Sequence, residues 1–279
     1  MAPLDALLGW DEEGTAETYA AFTHDFPMYA ATSRDLARRA DLTTSRRVVD
    51  LCGGAGATAE AILELAPIDA QVISLDSAAA MQRVGRRSLT DLRLTWITAP
   101  AEELADHVAG PVDAVVCNSA IWKTHVPRVF AAVHQILRPG GRFVFNIGGG
   151  FAGVRHDDEA HARTGPSLNT LIQRIAARDY CYAPPPAASA APTLPLTAVA
   201  EHLSAAGMII LDTEVIAQHS TMAEKKAWLS IPVFARPDGQ FTHAQRMDIL
   251  AKAYALTTPD TPTVTSWLVV VAQRPEEQR

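Results

Sequence analysis

Short apolar runs alternate with segments of helical periodicity through the middle of the chain, between residues 46 and 147. The apolar runs predict strands, and the amphipathic segments between them predict helices. The predicted strands are 46–51, 71–76, 92–98, 112–118 and 141–147, and the predicted helices are 57–66, 77–89, 101–108 and 125–137. Strands that are apolar on both faces and separated by helices are typical of a buried parallel sheet. The pattern therefore predicts an α/β domain with a doubly wound sheet.

The alternation is interrupted before and after this central region. Residues 11–40 predict helices that carry aromatic side chains, and the Pro- and Ala-rich stretch within 151–206 predicts a lid or a substrate wall. Further strands are predicted at 208–220 and 263–274. The chain is therefore predicted to have four parts: an N-terminal helical cap, a cofactor-binding core, a lid or substrate-binding insertion and the C-terminal part of the core. They cover residues 1–45, 46–150, 151–207 and 208–279.

A glycine-rich loop follows the first predicted strand in the sequence VVDLCGGAGAT, residues 48–58. Residues 54–59 fit the G-x-G-x-x-G/A fingerprint of dinucleotide-binding folds, and Asp76 ends the second strand where an acidic residue would bind a ribose. Against a nicotinamide dinucleotide, the negative charge of Asp50 would face a pyrophosphate, whereas it would suit a cationic aminoacyl group. A single glycine motif is weak support, so the loop alone leaves both cofactor classes open.

Five segments in a fixed order carry a family resemblance. They are VVDLCGGAG, VISLDSAAAM, APAEEL, VDAVVCNSAIW and LRPGGRFVF, and together they resemble the class I S-adenosylmethionine-dependent methyltransferases. The loop is similar to the D-L-x-G-G-x-G form of the ubiquinone/menaquinone C-methyltransferase branch, which is methyltransferase type 11-like. The resemblance covers residues 46–147, with compatible strands at 208–220 and 263–274. It implies a Rossmann-like, seven-stranded sheet whose last strand is antiparallel, and S-adenosylmethionine as the cofactor.

The resemblance also implies a set of cofactor-binding residues. Asp50 and the backbone of the loop glycines would receive the methionine part of the cofactor, and Asp76 would accept hydrogen bonds from both ribose hydroxyls. Tyr19 or Tyr29 would close over the cofactor from the N-terminal helices. The implied residues are Tyr19, Tyr29, Asp50, Gly53, Gly54, Gly56, Asp76, Ser77, Met81, Ala101, Glu102 and Asn118.

Two positions depart from the family pattern. Cys52 stands where the commoner form of the loop has its first glycine, a change that the quinone-type branch also tolerates. Pro100 stands where many members have an aspartate that binds the adenine amino group. Ser77 and Met81 would still flank the adenine, and backbone groups near Ala101 would have to replace the missing aspartate.

Four residues are candidates for the reaction and for the acceptor. His125 follows the fourth predicted strand and is the candidate general base, because histidine titrates near neutral pH; a solvent-facing position at a helix start is the alternative. Trp122 is a candidate wall of the acceptor pocket or a core residue. His156 and His161, in RHDDEAH, are candidates for acceptor binding or a solvated acidic turn, and no metal site is predicted there.

Composition narrows the range of partners. The formal net charge of −7, with few lysines, argues against a nucleic-acid surface, and every apolar run is too short to span a membrane. Three widely spaced cysteines, and an N-terminus unlike a signal peptide, favour a cytoplasmic protein. A homodimer through the final helices is left open.

The prediction is an enzyme that methylates oxygen or carbon of a small, hydrophobic or aromatic acceptor in natural-product or quinone-type metabolism. The first alternative is a methyltransferase-like protein that keeps the cofactor as a structural element and catalyses a cyclisation or rearrangement. A nicotinamide oxidoreductase and a non-catalytic partner-binding module are further alternatives, which Asp50 and Asp76, respectively, argue against.

Overall fold

A seven-stranded sheet organises the chain in the computed structural model, which describes residues 8–162, 165–183 and 192–276. The strands β1 to β7 are Arg47–Leu51, Gln71–Asp76, Leu94–Thr98, Val112–Cys117, Leu137–Gly148, Ile209–Thr221 and Pro262–Gln273. Their order in the sheet is β3-β2-β1-β4-β5-β7-β6. Strands β1 to β5 pair in parallel, and β7 pairs antiparallel with both β5 and β6. The predicted doubly wound sheet with an antiparallel last strand is confirmed.

Helices cover both faces of the sheet and its carboxyl-terminal edge. Helices α1 to α12 are Glu13–Asp25, Pro27–Arg39, Ala57–Leu65, Ala79–Ser88, Leu104–His107, Val126–Ile136, Gly149–Ala152, Asp157–His161, Leu168–Tyr180, Leu196–Ala205, Met222–Ser230 and His243–Tyr254. The N-terminal helical region is divided where Pro27 occupies the first position of α2, since proline suits a helix start and disrupts a helix interior. No helix of the described chain has the length and apolarity that a membrane span requires.

The strands of the sheet are buried on both faces. Val48 belongs to the hydrophobic cluster that contains Leu36 of α2 and Ile62 of α3. Its neighbour Val49 points the other way, into the cluster that contains Phe130 of α6. Successive side chains of a strand point to opposite faces, so a strand that is covered on both sides needs a continuous apolar run. This arrangement explains why β1 could be recognised from sequence.

Strand β5 begins earlier than the sequence predicts. The strand was predicted to start at residue 141, but pairing with β4 already starts at Leu137. The register then shifts between Val112 and Ala114, so the Pro-Gly-Gly stretch forms a bulge inside the strand. Gly140 has φ +75°, and its amide donates to the Arg274 carbonyl of the chain's last segment at 2.8 Å. The bulge is therefore held by a contact that is distant in sequence.

The insertion after β5 contributes to a further, smaller apolar cluster. Leu171 and Ile175 of α9 pack with Leu229 of α11 and with Ile249 and Leu250 of α12. These helices bring the C-terminal part of the chain over the carboxyl end of the sheet. The four-part division of the chain stays a prediction, and most of the Pro- and Ala-rich loop, residues 184–191, lies outside the described residues.

Candidate active site

A cavity of about 340 Å³ lies at the carboxyl ends of β1, β2 and β4, next to the glycine loop. We call it the loop cavity. The crevice outside the carboxyl ends of the strands is where open α/β sheets bind their ligands. Nine of the twelve predicted cofactor residues line it, namely Tyr19, Tyr29, Gly54, Asp76, Ser77, Met81, Ala101, Glu102 and Asn118. The family resemblance therefore identified half of the eighteen described residues that line this cavity.

The three remaining predicted cofactor residues support the loop from beneath. A Cβ on Gly53 would lie 2.2 Å from Asp50 Oδ2 and 2.2 Å from Ser74 Oγ, so only glycine fits there. Ser74 Oγ donates to Asp50 Oδ2 at 3.1 Å, and Asp50 is completely buried. Burial raises the pKa of Asp50 to about 7. Asp50, Gly53 and Gly56 lie outside the cavity lining, and their contact with the cofactor stays a prediction.

Asp76 connects the loop to the end of β2. Its Oδ2 accepts the amide of Gly54 at 2.9 Å, and its Oδ1 accepts the amide of Ala78 at 2.7 Å. Burial of the side chain raises its pKa. Each carboxylate oxygen can accept a further hydrogen bond, so Asp76 can bind a ligand from its place in the cavity wall.

The amides of the loop glycines are already used. Gly53 N–H donates to the Leu75 carbonyl at 3.2 Å, Gly56 N–H donates to the Gly53 carbonyl at 2.9 Å, and Gly54 N–H donates to Asp76. A dinucleotide fold instead directs loop and helix amides at the pyrophosphate. The loop geometry therefore argues against a nicotinamide cofactor, although the glycine spacing fits its fingerprint.

Two non-glycine residues have left-handed backbone conformations at the edge of the loop cavity. Cys52 has φ +58° after β1, and Ser119 has φ +59° after β4. Such conformations cost about 1 kcal/mol or more and are concentrated at functional sites. Ser119 N–H donates to Asn146 Oδ1 at 2.6 Å, which holds this turn. The sequence does not single out Ser119, because no local motif marks this conformation.

Asn118 fixes helix α2 against the sheet. Its Nδ2 donates to Thr32 Oγ1 at 3.1 Å and to Ser33 Oγ at 2.9 Å, and its Oδ1 accepts from Asn146 Nδ2 at 2.9 Å. Ser33 and Asn146 are completely buried. The side-chain amide of Asn118 is thus committed to a network that positions the helix carrying Tyr29.

Aromatic side chains from the N-terminal region close the loop cavity. The rings of Tyr19 and Tyr29 lie 5.1 Å apart, and Trp10 meets Tyr19 edge to face at 5.7 Å. Trp228 Nε1 donates to the Tyr29 hydroxyl at 3.3 Å, and burial raises the pKa of Tyr29 to about 12. The other two aromatic residues of this region, Phe22 and Phe26, stack on each other. Trp10 was missed because it precedes the predicted helices and carries no motif.

A second cavity, of about 640 Å³, adjoins the first and has aromatic walls. We call it the aromatic cavity. Trp122 stacks on Phe151 with centroids 4.7 Å apart, and Trp228 stacks on Phe234 at 4.0 Å. The aromatic and charged lining residues are Trp10, Tyr29, Trp122, Lys123, Phe151, Glu159, Glu224, Lys225, Trp228, Phe234, Arg236 and Trp267. Sequence analysis identified Trp122 and Tyr29 as site residues and missed the others, which come from four separate parts of the chain.

The two cavities share part of their walls. Trp10, Tyr29, Ser119 and Lys123 line both of them. A ligand in the loop cavity and a second molecule in the aromatic cavity would therefore meet at these four residues.

The three predicted functional histidines lie outside the linings of both cavities. His125 is the N-cap of α6, where its Nδ1 accepts the Arg128 amide at 3.4 Å, and its own amide donates to Glu102 Oε1 at 2.6 Å. His156 caps α8 in the same manner, and His161 Nδ1 contacts the Asp157 carbonyl at 2.8 Å on the exposed side of α8. The role of His125 as a base and the roles of His156 and His161 in acceptor binding stay predictions. Within the described part of the chain, no cluster of histidine, cysteine and acidic side chains is arranged to hold a metal ion.

Comparisons with known proteins agree with the fold and the loop. A family described as methyltransferase domain matches residues 48–141. The chain is 32% identical over 107 residues to the probable S-adenosylmethionine-dependent methyltransferase CRG1 of Saccharomyces cerevisiae, which is 37% of this chain and 35% of that protein. It is also 32% identical over 105 residues to the ubiquinone/menaquinone biosynthesis C-methyltransferase UbiE of Coxiella burnetii, covering 36% of this chain and 42% of that protein.

Solved structures share the fold over a larger part of the chain. A putative methyltransferase of Bacillus halodurans has a TM-score of 0.57 at 12% identity, covering 88% of this chain and 99% of its own. The [4+2]-cyclase SpnF has a TM-score of 0.56 at 14% identity, covering 89% of this chain and 82% of its own. At such low identity, these similarities concern the fold alone.

The fold and the glycine loop agree with the matched family: residues 48–141 of this chain are a methyltransferase domain, similar in sequence to the UbiE C-methyltransferase of Coxiella burnetii. The match to the first two curated relatives spans 35% and 42% of their lengths. Much of the aromatic cavity, including Phe151, Trp228 and Trp267, lies outside the matched domain, so the match does not define the acceptor.

Proposed function

We propose that the protein transfers a methyl group from S-adenosylmethionine to oxygen or carbon of a small, apolar or aromatic acceptor. The observation that carries this proposal is the junction of the two cavities at Trp10, Tyr29, Ser119 and Lys123. Methyl transfer needs the donor and the nucleophile in line and in contact, and two adjoining cavities that share these wall residues support that arrangement.

The loop cavity fits the cofactor in shape and charge. Gly54, with φ +54°, turns the backbone beside the cavity, and the Asp76 carboxylate is available for the ribose hydroxyls. The described lining residues include three carboxyl side chains and a single lysine, Lys123. The carboxyl side chains are those of Asp11, Asp76 and Glu102. This excess of negative charge suits a cofactor that carries a positive sulfonium and an ammonium group. Bound there, the cofactor would supply an electrophilic methyl group.

The adenine end of the loop cavity is formed by apolar groups. Met81 is almost fully buried in α4, and Pro100 and Ala101 line the wall after β3. We assign adenine to the space between them. Since Pro100 has no polar side chain and no amide hydrogen, recognition of the adenine edge rests on neighbouring backbone groups and on shape.

The aromatic cavity supports a flat, apolar acceptor. Its volume of about 640 Å³ lies within the range of small-molecule sites, and tryptophan rings form a large part of its described wall. Aromatic walls favour planar ring systems through offset stacking. The chain's role in the reaction is to align the acceptor and to exclude water from the junction, where Trp10 and Tyr29 close the space. A role in natural-product or quinone-type metabolism agrees with such an acceptor.

The experiment that tests the proposal is a calorimetric titration with S-adenosylhomocysteine beside one with NAD. Micromolar binding of S-adenosylhomocysteine and no binding of NAD is the expected result, and binding of NAD alone would refute it. A screen of phenols, quinols and enols should then be read by mass spectrometry for a methylated product and by formation of S-adenosylhomocysteine.

One alternative keeps the cofactor and changes the chemistry. Pro100 replaces an aspartate that many family members use for adenine, and this departure favours a protein that holds the cofactor without consuming it. Such a protein would catalyse a cyclisation or rearrangement in the aromatic cavity. Conversion of an acceptor without formation of S-adenosylhomocysteine would support the alternative over methyl transfer.

The cellular setting belongs to the same proposal. Cys52, Cys117 and Cys181 are all free thiols, which supports a reducing, cytoplasmic environment. Use of the protein as a homodimer stays a prediction.

A further inference from the structure

Lys123 is the one cationic side chain among the four residues that line both cavities. It ends the short 3-10 turn Ile121–Lys123 after β4. The other titratable group at the junction is the Tyr29 hydroxyl, which accepts a hydrogen bond from Trp228 Nε1 and has a pKa raised to about 12 by burial. The junction therefore offers Lys123 as its group for proton transfer near neutral pH.

The Lys123 ammonium is held by rings and not by a counter-ion. Its Nζ lies 4.0 Å from the centroid of the Trp10 ring and 5.8 Å from that of Trp122. In the described residues, 8–162, 165–183 and 192–276, Nζ has no hydrogen-bond acceptor and no salt-bridge partner. Lys123 is half-buried, and an amine at a cavity junction without a carboxylate partner is a candidate functional group, since a partly desolvated, unpaired charge is costly to keep for structure alone.

Burial lowers the pKa of Lys123 to about 8. The ionisable groups that influence it are Asp76 at the end of β2 and the thiols of Cys52 and Cys117 at the ends of β1 and β4, with Tyr29 facing the same junction. Asp76 is acidic and favours the ammonium, whereas a positive sulfonium nearby would favour the neutral amine. With the cofactor bound, a substantial fraction of Lys123 would be neutral at physiological pH and able to accept a proton.

We propose that Lys123 is the catalytic base of the proposed methyl transfer, and that the acceptor carries an acidic hydroxyl, a phenol or an enol, which lies at Lys123 Nζ. The proposal rests on the proposed function. The hydroxyl gives its proton to the neutral amine while the acceptor's oxygen, or a ring carbon conjugated with it, bonds to the methyl carbon, and the carbon–sulfur bond breaks with its electron pair left on sulfur. The positive charge is thereby transferred to Lys123, which returns its proton to solvent after product release.

The pKa of the base limits how weakly acidic the acceptor hydroxyl can be. A phenol has a pKa of about 10, about two units above that of Lys123, so the transfer of its proton to this amine is only modestly uphill. A hydroxyl as weakly acidic as water, with a pKa of about 15.7, would be a poor match. The aromatic walls of the second cavity support the same class of acceptor, because a phenol is flat and stacks on Trp122 or Trp228.

The test uses the full-length protein saturated with S-adenosylhomocysteine and 4-nitrophenol as the probe, since its anion absorbs in the visible range. We expect the bound probe to ionise at a lower pH than the free probe, by about one pH unit, because the Lys123 ammonium, the form that proton transfer produces, stabilises the bound anion. Lys123→Met should abolish this shift. Lys226→Met is the matched control, since Lys226 lies on α11 over the Tyr254 ring, outside the linings of both cavities. It should keep the full shift.

Two outcomes would overturn the proposal: no anion signal in the wild-type protein at a saturating probe concentration, or the same signal in Lys123→Met. Lys123→Gln, read in the same way, covers the case in which the methionine variant does not fold, and thermal melting identifies that case. With an acceptor in hand, Lys123→Met should lower kcat by about 10²- to 10⁴-fold, as expected for loss of a general base. Binding of S-adenosylhomocysteine distinguishes failure of the base proposal from failure of the proposed function. If the wild-type protein binds S-adenosylhomocysteine but not the anion, only the base proposal fails. If the wild-type protein does not bind S-adenosylhomocysteine, the proposed function fails.

Discussion

Replacing Asp76 by alanine tests the cofactor site most directly. The carboxylate lies in the wall of the loop cavity and accepts the amides of Gly54 and Ala78 at 2.9 and 2.7 Å. The substitution removes a proposed contact with the ribose hydroxyls and also leaves two backbone amides without their acceptor. Both affinity and stability are therefore expected to fall, and the two effects have to be separated.

The size of each effect can be worked out from these contacts. An amide left unsatisfied costs about 1–3 kcal/mol, and relief of the carboxylate's desolvation offsets part of this, so we expect a net loss of roughly 1–3 kcal/mol in the free energy of unfolding. Loss of the charge-assisted contacts with the ribose should weaken S-adenosylhomocysteine about ten- to a hundredfold, or about 1.4–2.8 kcal/mol. Urea unfolding measures the first quantity, and calorimetric titration measures the second.

Asp113→Ala is the matched control at the other end of the sheet. Asp113 Oδ2 accepts the amides of Arg46 and Arg47 at 2.7 and 2.9 Å, and its Oδ1 accepts from Arg138 Nε at 2.7 Å. Its removal should lower stability by a similar amount and leave the affinity for S-adenosylhomocysteine unchanged. Equal affinity of Asp76→Ala and wild type would refute the ribose assignment. Equal loss of affinity in both variants would show that the effect acts through stability and not through contact.

Three further predictions concern the loop and His125. Gly53→Ala should lower the free energy of unfolding by at least about 1–3 kcal/mol, because its Cβ would lie 2.2 Å from the Asp50 carboxylate. Gly14→Ala is the control: a Cβ there meets nothing within 4 Å, so this substitution should leave the free energy of unfolding unchanged or raise it by up to about 1 kcal/mol. A similar loss of stability in both variants would contradict the predicted clash at Gly53. Burial raises the pKa of Asp50 from 3.8 to about 7, so the folded protein keeps this proton at a pH where the unfolded chain has lost it. In urea unfolding, the stability of the wild-type protein should therefore fall more than that of Asp50→Asn between about pH 4 and about pH 7, and parallel pH profiles would refute this. His125→Ala should lower the free energy of unfolding by about 1 kcal/mol, because the helix cap is lost. Its turnover of the acceptor found by screening should stay close to that of the wild-type protein, whereas a hundredfold or larger fall in turnover would support His125 as the base.

Local pattern was sufficient for the sheet and for the loop. The strands β1, β2 and β4 are buried on both faces, so their apolar runs are continuous and visible in one dimension. Gly53 and Asp50 are three positions apart, and their contact is set by the turn itself. The family resemblance added the cofactor class and nine of the cavity's described lining residues, because the residues that bind a shared cofactor stand at shared points of the fold.

The extent of β5 and the roles of the histidines needed the tertiary structure. The Pro-Gly-Gly stretch became part of β5 because Gly140 bonds to Arg274, more than a hundred residues away. His125 and His156 stand at helix N-termini and cap them, a role that a histidine among acidic and polar neighbours does not reveal in the sequence. In each case, the deciding partner is fixed by the fold and not by the neighbouring residues.

The amino-acid sequence by itself determined the layered sheet, the loop at its edge and, through resemblance, the cofactor that the loop serves, since each depends on residues close together in the chain or on a motif. Only the tertiary structure decided what lies opposite that loop. Trp10, Lys123, Phe151, Trp228 and Trp267 come from both ends and the middle of the chain and meet only because the outer helices fold over the carboxyl ends of the strands. The acceptor cavity and the amine at its junction are products of long-range packing, for which a single sequence carries no periodic signal.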